Sequence, residues 1–347
     1  MFRLRTQSKT MLHAFAVMLL LFVAAAVMTS TMEAQTVNWF LVSAGSPSAR
    51  CAMGMAYDEA TNSTVLFGGT AGSTITTYGD TWTWQRAWHQ MFPATSPSAR
   101  QGAGMAYDGA AGNIVLFGGS TTVPISTGTS LNDTWTWDGT NWTQQFPALS
   151  PPARAWTSMV YDLATRKVVL FGGNNLPGGD GPFDDTWTWD GIAKTWTEQN
   201  PASHPSARGS APVAYDAVTR TVVLFGGVTT NSNNLNDTWT WNGTGWTQKA
   251  PTAAPSPRNG PTMAYHPGLR AVVLFGGAFG ACCSTNLNDT WTWNGANWTK
   301  IQPAHIIPPS RNTAGMDYDV LDKVLILFGG GDSNSVRSDT WVLTLTP

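Results

Sequence analysis

Charge is scarce in this 347-residue chain: Asp, Glu, Lys and Arg together make up 12%, against about 25% in an average soluble protein. The two signs nearly cancel, with 19 basic and 21 acidic residues, and no basic patch or stripe stands out. That excludes nucleic acid as a leading partner and argues against long-range steering of a charged substrate. Cysteine is as rare. Three residues cannot build a disulfide framework. No Ser-His-Asp set and no phosphate-binding loop can be placed. The five histidines, His13, His89, His204, His266 and His305, are scattered.

What is present is glycine (35), proline (21) and tryptophan (18), within a 42% hydrophobic composition suited to a turn-rich β protein. The first 34 residues differ from the rest. Arg3, Arg5 and Lys9 lead into an unbroken apolar run of fifteen residues, 14–28. A spanning helix needs about 20 apolar residues and an export-signal core about 7–15. Residues 1–34 are therefore expected to be a secretion signal cleaved after Ala34. The alternative is an N-terminal membrane anchor. The mature chain is expected to be secreted or periplasmic.

Length alone suggests about two domains, but an internal repeat overrides it. Arginine recurs at Arg50, Arg100, Arg154, Arg208, Arg258 and Arg311. Each lies 7 residues before a tyrosine (Tyr57, Tyr107, Tyr161, Tyr215, Tyr265, Tyr318) and 17 before a phenylalanine that precedes Gly-Gly. A variable segment follows, then Asp-Thr-Trp from Asp80, Asp133, Asp185, Asp237, Asp289 and Asp339. Each unit reads as four strands. The third, "DTWTW", alternates with period two, and "DGTN" or "NGTG" marks a hairpin before the fourth.

These motifs resemble the kelch family closely: the Pro-x-x-Arg lead, the apolar run closing in Gly-Gly, and the late Trp, over residues 35–347. The resemblance implies an all-β, six-bladed propeller of four-stranded antiparallel blades, similar to the central domain of galactose oxidase. The sixth unit lacks a fourth strand, and "TVNWFLVS" at the start of the repeat region places Trp39 in that slot. The N-terminal strand is thus expected to close the last blade and remove two sheet edges. All tryptophans but Trp156 fall in frame and read as blade core. The repeated arginines and aspartates read as structural pairs. Asp58, Asp108, Asp162, Asp216 and Asp319 read as turn formers, with His266 in that slot of blade five.

Strand direction puts the short first-to-second and third-to-fourth turns on one face. The second-to-third loops, 70–79, 120–132, 174–184, 228–236, 278–288 and 331–338, fall on the other, which is the expected binding face. Residues outside the frame supply the candidate ligand contacts: Tyr78, Trp156, Phe183 and Phe279, with Arg337 and Asp317. Asp180, Asp184 and Asp332 are the other ionisable loop residues. Adjacent Cys282 and Cys283 could form a vicinal disulfide, pair with Cys51, or stay free. "GGDGPFDD" offers oxygen ligands for calcium but lacks the spacing of a dedicated loop.

Among kelch-like enzymes, the copper oxidases resembling galactose oxidase imply a Tyr and His ligand set. Tyr265-His266 looks like their adjacent pair, but Tyr265 is a frame tyrosine and His305 belongs to the opposite face. No copper, other metal or cofactor is expected. A resemblance to exported sugar epimerases or mutarotases would rest on Asp317 and Arg337. The favoured reading is a monomeric scaffold that binds an unknown protein or glycan through its long-loop face.

Overall fold

The apolar run of each unit forms a strand buried on both faces, as in Ser63–Phe67 and Val324–Phe328. β-branched and aromatic side chains suit that environment. The computed structural model describes residues 36–71, 76–121, 129–175, 181–280 and 285–346. The expected signal segment, Asp180, Cys282 and Cys283 lie outside them. The described residues fall into a large unit, Val37–Thr344, and a remainder from the two chain ends, in which Thr36 Oγ1 lies 2.7 Å from Thr346 Oγ1.

Six four-stranded antiparallel sheets form the large unit. Their innermost strands are Gly54–Asp58, Gly104–Asp108, Ser158–Asp162, Val213–Asp216, Thr262–His266 and Gly315–Asp319, in blades one to six. Each contacts the innermost strands of both neighbouring blades, and the sixth contacts the first, so the ring is closed. In blade six the order is Thr36–Ser43, Thr340–Thr346, Val324–Phe328, Gly315–Asp319. The N-terminal strand closes the last blade, as the repeat predicts.

Tryptophan cements neighbouring blades. The outer-strand Trp of each blade donates its indole N–H to a threonine on the third strand of the blade before it. The six bonds are Trp88 to Thr340, Trp142 to Thr81, Trp196 to Thr134, Trp246 to Thr186, Trp298 to Thr238 and Trp39 to Thr290, at 2.8–3.1 Å. The same rings pack on the phenylalanine of the preceding blade, with centroids 5.1–5.4 Å apart. Each buried aromatic contributes on the order of 1.5–3 kcal/mol. Trp39 repeats this geometry across the closure. Blade six departs in one respect: Leu343 stands where the other blades carry the second Trp of "DTWTW".

The six arginines bind their aspartates through two parallel N–H···O bonds, Nη1 to Oδ1 at 2.5–2.7 Å and Nη2 to Oδ2 at 2.7–3.0 Å. Nη1 also donates to the carbonyl of the first glycine of Gly-Gly, as Arg100 does to Gly118. The arginine backbone belongs to the preceding blade: Arg100 N–H donates to Tyr78 O, and Gly69 N–H donates to Arg100 O. Each Arg–Asp pair therefore staples two blades. Burial works against the charged form of Asp80, Asp133, Asp289 and Asp339. The arginine hydrogen bonds and charge outweigh it and hold these carboxyls below the usual range.

Candidate functional site

The channel on the propeller axis holds two cavities, about 190 Å³ at the end where the innermost strands begin and about 310 Å³ at the end where they finish. One layer of side chains lines both: Met55, Met105, Met159, Val213, Met263 and Met316. The smaller chamber opens toward the second-to-third loops, the larger toward the short turns.

The loop-side mouth is a ring of backbone. Two residues after each frame arginine sits a residue in the left-handed region: Ala52, Gly102, Trp156, Ser210, Gly260 and Thr313, with φ between 50° and 64°. Each donates its N–H to the carbonyl of the same position in the preceding blade, at 2.7–3.0 Å, and Ala52 closes the circle on Thr313. A six-membered hydrogen-bonded ring thus encircles the mouth. Trp156 is its only bulky member. Its half-buried indole lies over Gly102, where an added Cβ would come within 3.2 Å of Cδ2. A tryptophan with φ of 60° is a sterically costly choice at a position where other blades use small residues or threonine.

Three other candidates prove to belong to the frame. Tyr78, Phe183 and Arg337 occupy one repeated position, two residues before each aspartate, where the remaining blades have Leu131, Leu235 and Leu287. In all six blades this residue gives its carbonyl to the N–H of the next frame arginine, at 2.9–3.1 Å. The Arg50 guanidinium lies 4.0 Å from the Tyr78 ring centroid, and Arg154 sits likewise over Phe183. Tyr78, Phe183 and Arg337 are therefore not outside the repeat. Arg337 donates to Asp332 at 2.5 Å. Phe279 is 38% exposed, on a two-residue strand pair of blade five, Ala278–Phe279 with Thr285–Asn286.

Asp317 lies at the other end. It lines the turn-side chamber together with Glu59 and the six frame tyrosines. Its Oδ2 accepts the Tyr57 N–H at 2.8 Å and its Oδ1 accepts the Tyr318 N–H at 2.7 Å, bridging blades six and one. Burial, reinforced by the negative charges of Glu59 and Asp319, pushes its carboxyl up to about 6, although the residue as a whole is only half-buried. Asp317 and Arg337, paired above as leads for sugar chemistry, thus sit at opposite ends of the channel.

His266 is buried and accepts the Leu269 N–H, and burial lowers its pKa. His305 packs against Phe40 in a tilted pair, with ring centroids 6.1 Å apart. His204 Nδ1 lies 3.8 Å from Asp184. Among the described residues no three His, Cys, Asp or Glu side chains converge on a metal position. Cys51 is a half-buried free thiol whose pKa burial raises. Among the described residues no helix is long and apolar enough to cross a membrane.

The closed ring, the six staples and the central channel define a kelch-type propeller. Residues 163–347, just over half of the chain, match the family model described as the KLHDC2/KLHL20/DRC7 Kelch-repeats domain, and the chain belongs to this kelch-repeat family. Kelch propellers are in general protein-binding scaffolds. A comparison with curated proteins returns no match.

Proposed function

We propose that this propeller is an exported scaffold that binds a partner protein with its loop-side face, centred on Trp156. The single observation that carries the reading is the ring position itself. Five blades fill it with Ala, Gly, Ser, Gly and Thr, and only blade three spends a large aromatic there at a strained φ. Backbone strain held in place by its surroundings is a pointer to function. Tryptophan is also among the residues most often found at the centre of binding surfaces. Exposed Phe279 on the same side offers a second apolar contact. A glycan-stacking array is less well supported, because Tyr78 and Phe183 already lie against arginines of the frame. Export rests on the apolar run and small residues of the first 34 positions.

A photo-crosslinking residue at position 156, with a control at Glu59 on the opposite mouth, tests the face. A single protein captured from 156 and not from 59, and bound by the purified propeller, supports the proposal. Trp156→Ala should then weaken that complex by about 30-fold or more, the effect of losing a central aromatic anchor. Equal capture from both positions would sink it. Competition by free glycans but by no protein would turn the reading to carbohydrate. Mass measurement of the mature chain decides whether residues 1–34 are removed.

A further inference from the structure

From the turn-side chamber we infer a second binding site, for a protonated amine carried on an apolar body. The amine could belong to a free small molecule or to a lysine side chain of a partner. This site is at the other end of the channel from Trp156 and does not depend on the reading given above.

The chamber is about 310 Å³, at the small end of the roughly 300–1,000 Å³ range of ligand pockets. Methionine side chains form its floor, and Tyr57, Tyr107, Tyr161, Tyr215, Tyr265 and Tyr318 stand around its mouth. Thioethers are polarisable and fit irregular apolar ligands, and tyrosine rings attract cations through their quadrupole. Apart from these tyrosines, the ionisable groups lining the chamber are Asp317 and Glu59, both acidic; no lysine, arginine or histidine lines it. Arg166 and Arg220 stand at the hydroxyls of Tyr161 and Tyr215 on the other side of the mouth, so the negative part of the chamber is the one beside Asp317 and Glu59, where an ammonium would meet its counter-charge.

Asp317 is what the frame does not need. The matching positions are Ala56, Ala106, Val160, Ala214 and Ala264, and those five blades close without a carboxylate. Two backbone N–H groups fix its orientation, leaving about two of its four or so acceptor sites unused. Among the described residues no cationic side chain pairs with it. Burial makes its charge costly, and an incoming ammonium would relieve that cost through a charge-assisted hydrogen bond. A merely structural role remains the competing account: Asp317 tethers the innermost strand of blade six to that of blade one.

The two accounts separate in a titration of the full-length protein with phenethylammonium, its uncharged analogue 2-phenylethanol, and phenylacetate. We expect phenethylammonium to bind at least about tenfold tighter than either analogue. Asp317→Asn and Asp317→Ala should each lose about 10- to 100-fold, the usual value of a charged hydrogen bond in an enclosed site. The alanine variant carries the residue that four other blades already use, so it should fold if the asparagine variant does not. Trp156→Ala should leave amine binding unchanged. On the wild-type protein, an amine-bearing photo-label should mark Tyr57, Met316 or Tyr318. A short peptide with one lysine, compared with its norleucine counterpart, identifies the source. Tighter binding of the lysine peptide than of phenethylammonium points to a protein partner, and the reverse points to a small molecule. Equal binding of the amine and the alcohol, labelling elsewhere, or amine binding untouched in both Asp317 variants would overturn the proposal and leave Asp317 as a tether.

Discussion

At the loop-side end of the channel each blade contributes a backbone amide; at the turn-side end each contributes a tyrosine side chain. The first end is a ring of hydrogen bonds that tolerates Ala, Gly, Trp, Ser or Thr, because what it repeats is a φ angle rather than a side chain. The second end repeats a residue type and leaves a roomier chamber above the methionine layer. Each end carries one irregular residue in an otherwise sixfold setting, Trp156 at the first and Asp317 at the second. One is a bulky residue where the backbone disfavours it. The other is a charge where the frame wants a small apolar group. Sixfold repetition separates the cost of holding the ring together from the cost of doing something else. Anything that departs from the six-part average is not required by closure.

The largest effect should come from the mortar on the loop side. Arg154 is fully buried and meets Asp185, the Gly172 carbonyl and the Phe183 ring at once. Arg154→Ala leaves the partly buried Asp185 carboxylate without its counter-charge, held only by the Trp187 indole N–H, and the Gly172 carbonyl without its arginine donor, which should cost about 3–5 kcal/mol in chemical denaturation. Phe183→Ala removes only the cover and should cost about 1 kcal/mol beyond its lost area. If the two variants were equally destabilised, the staple would not be the element that holds this end.

At the turn side the comparison sharpens through pH. The Asp317 carboxyl titrates near 6 in the folded chain against an ordinary value of 3.8, with Glu59 and Asp319 as the neighbouring charges and the two N–H donors opposing them. A raised pKa means that folding favours the protonated form. Its contribution is fully present below pH 3.8 and is lost as pH rises through about 6. Two pH units correspond to about 3 kcal/mol at most. Wild type should therefore lose stability relative to Asp317→Ala between those limits, and the difference curve should be flat outside them. A flat difference throughout would mean that Asp317 is hydrated in the chamber.

Legibility in the sequence divides along the same line. The arginine, tyrosine, phenylalanine and aspartate offsets never vary, so the blades, the closure by Trp39 and the Arg–Asp pairing could be read directly. The position shared by Tyr78 and Phe183 was hidden because its identity switches between leucine, aromatic and arginine while its carbonyl does the same task. The mouth ring was hidden for the same reason. Its only signal was a constant offset of two from each arginine, and left-handed geometry has no single residue signature once threonine and tryptophan are among its occupants. Asp317 was visible as an anomaly. The chamber around it was not, since it depends on how six inner strands converge.

The smallest expected effect is also the most specific test of the loop-side end. At a φ of 60°, an L-residue pays about 1–2 kcal/mol that glycine does not. Trp156→Gly and Trp156→Ala both remove the indole from Gly102, so they lose the same packing. They differ in the strain that alanine retains and glycine releases, partly offset by the greater freedom of glycine in the unfolded chain. The glycine variant should therefore be the more stable of the two by about 0.5–1 kcal/mol in parallel denaturation curves, while both lose the partner equally. An alanine variant as stable as the glycine variant would mean that position 156 does not hold the left-handed conformation. Trp156 would then no longer be a strained departure from its five counterparts, and nothing in the ring would single out this mouth for a partner.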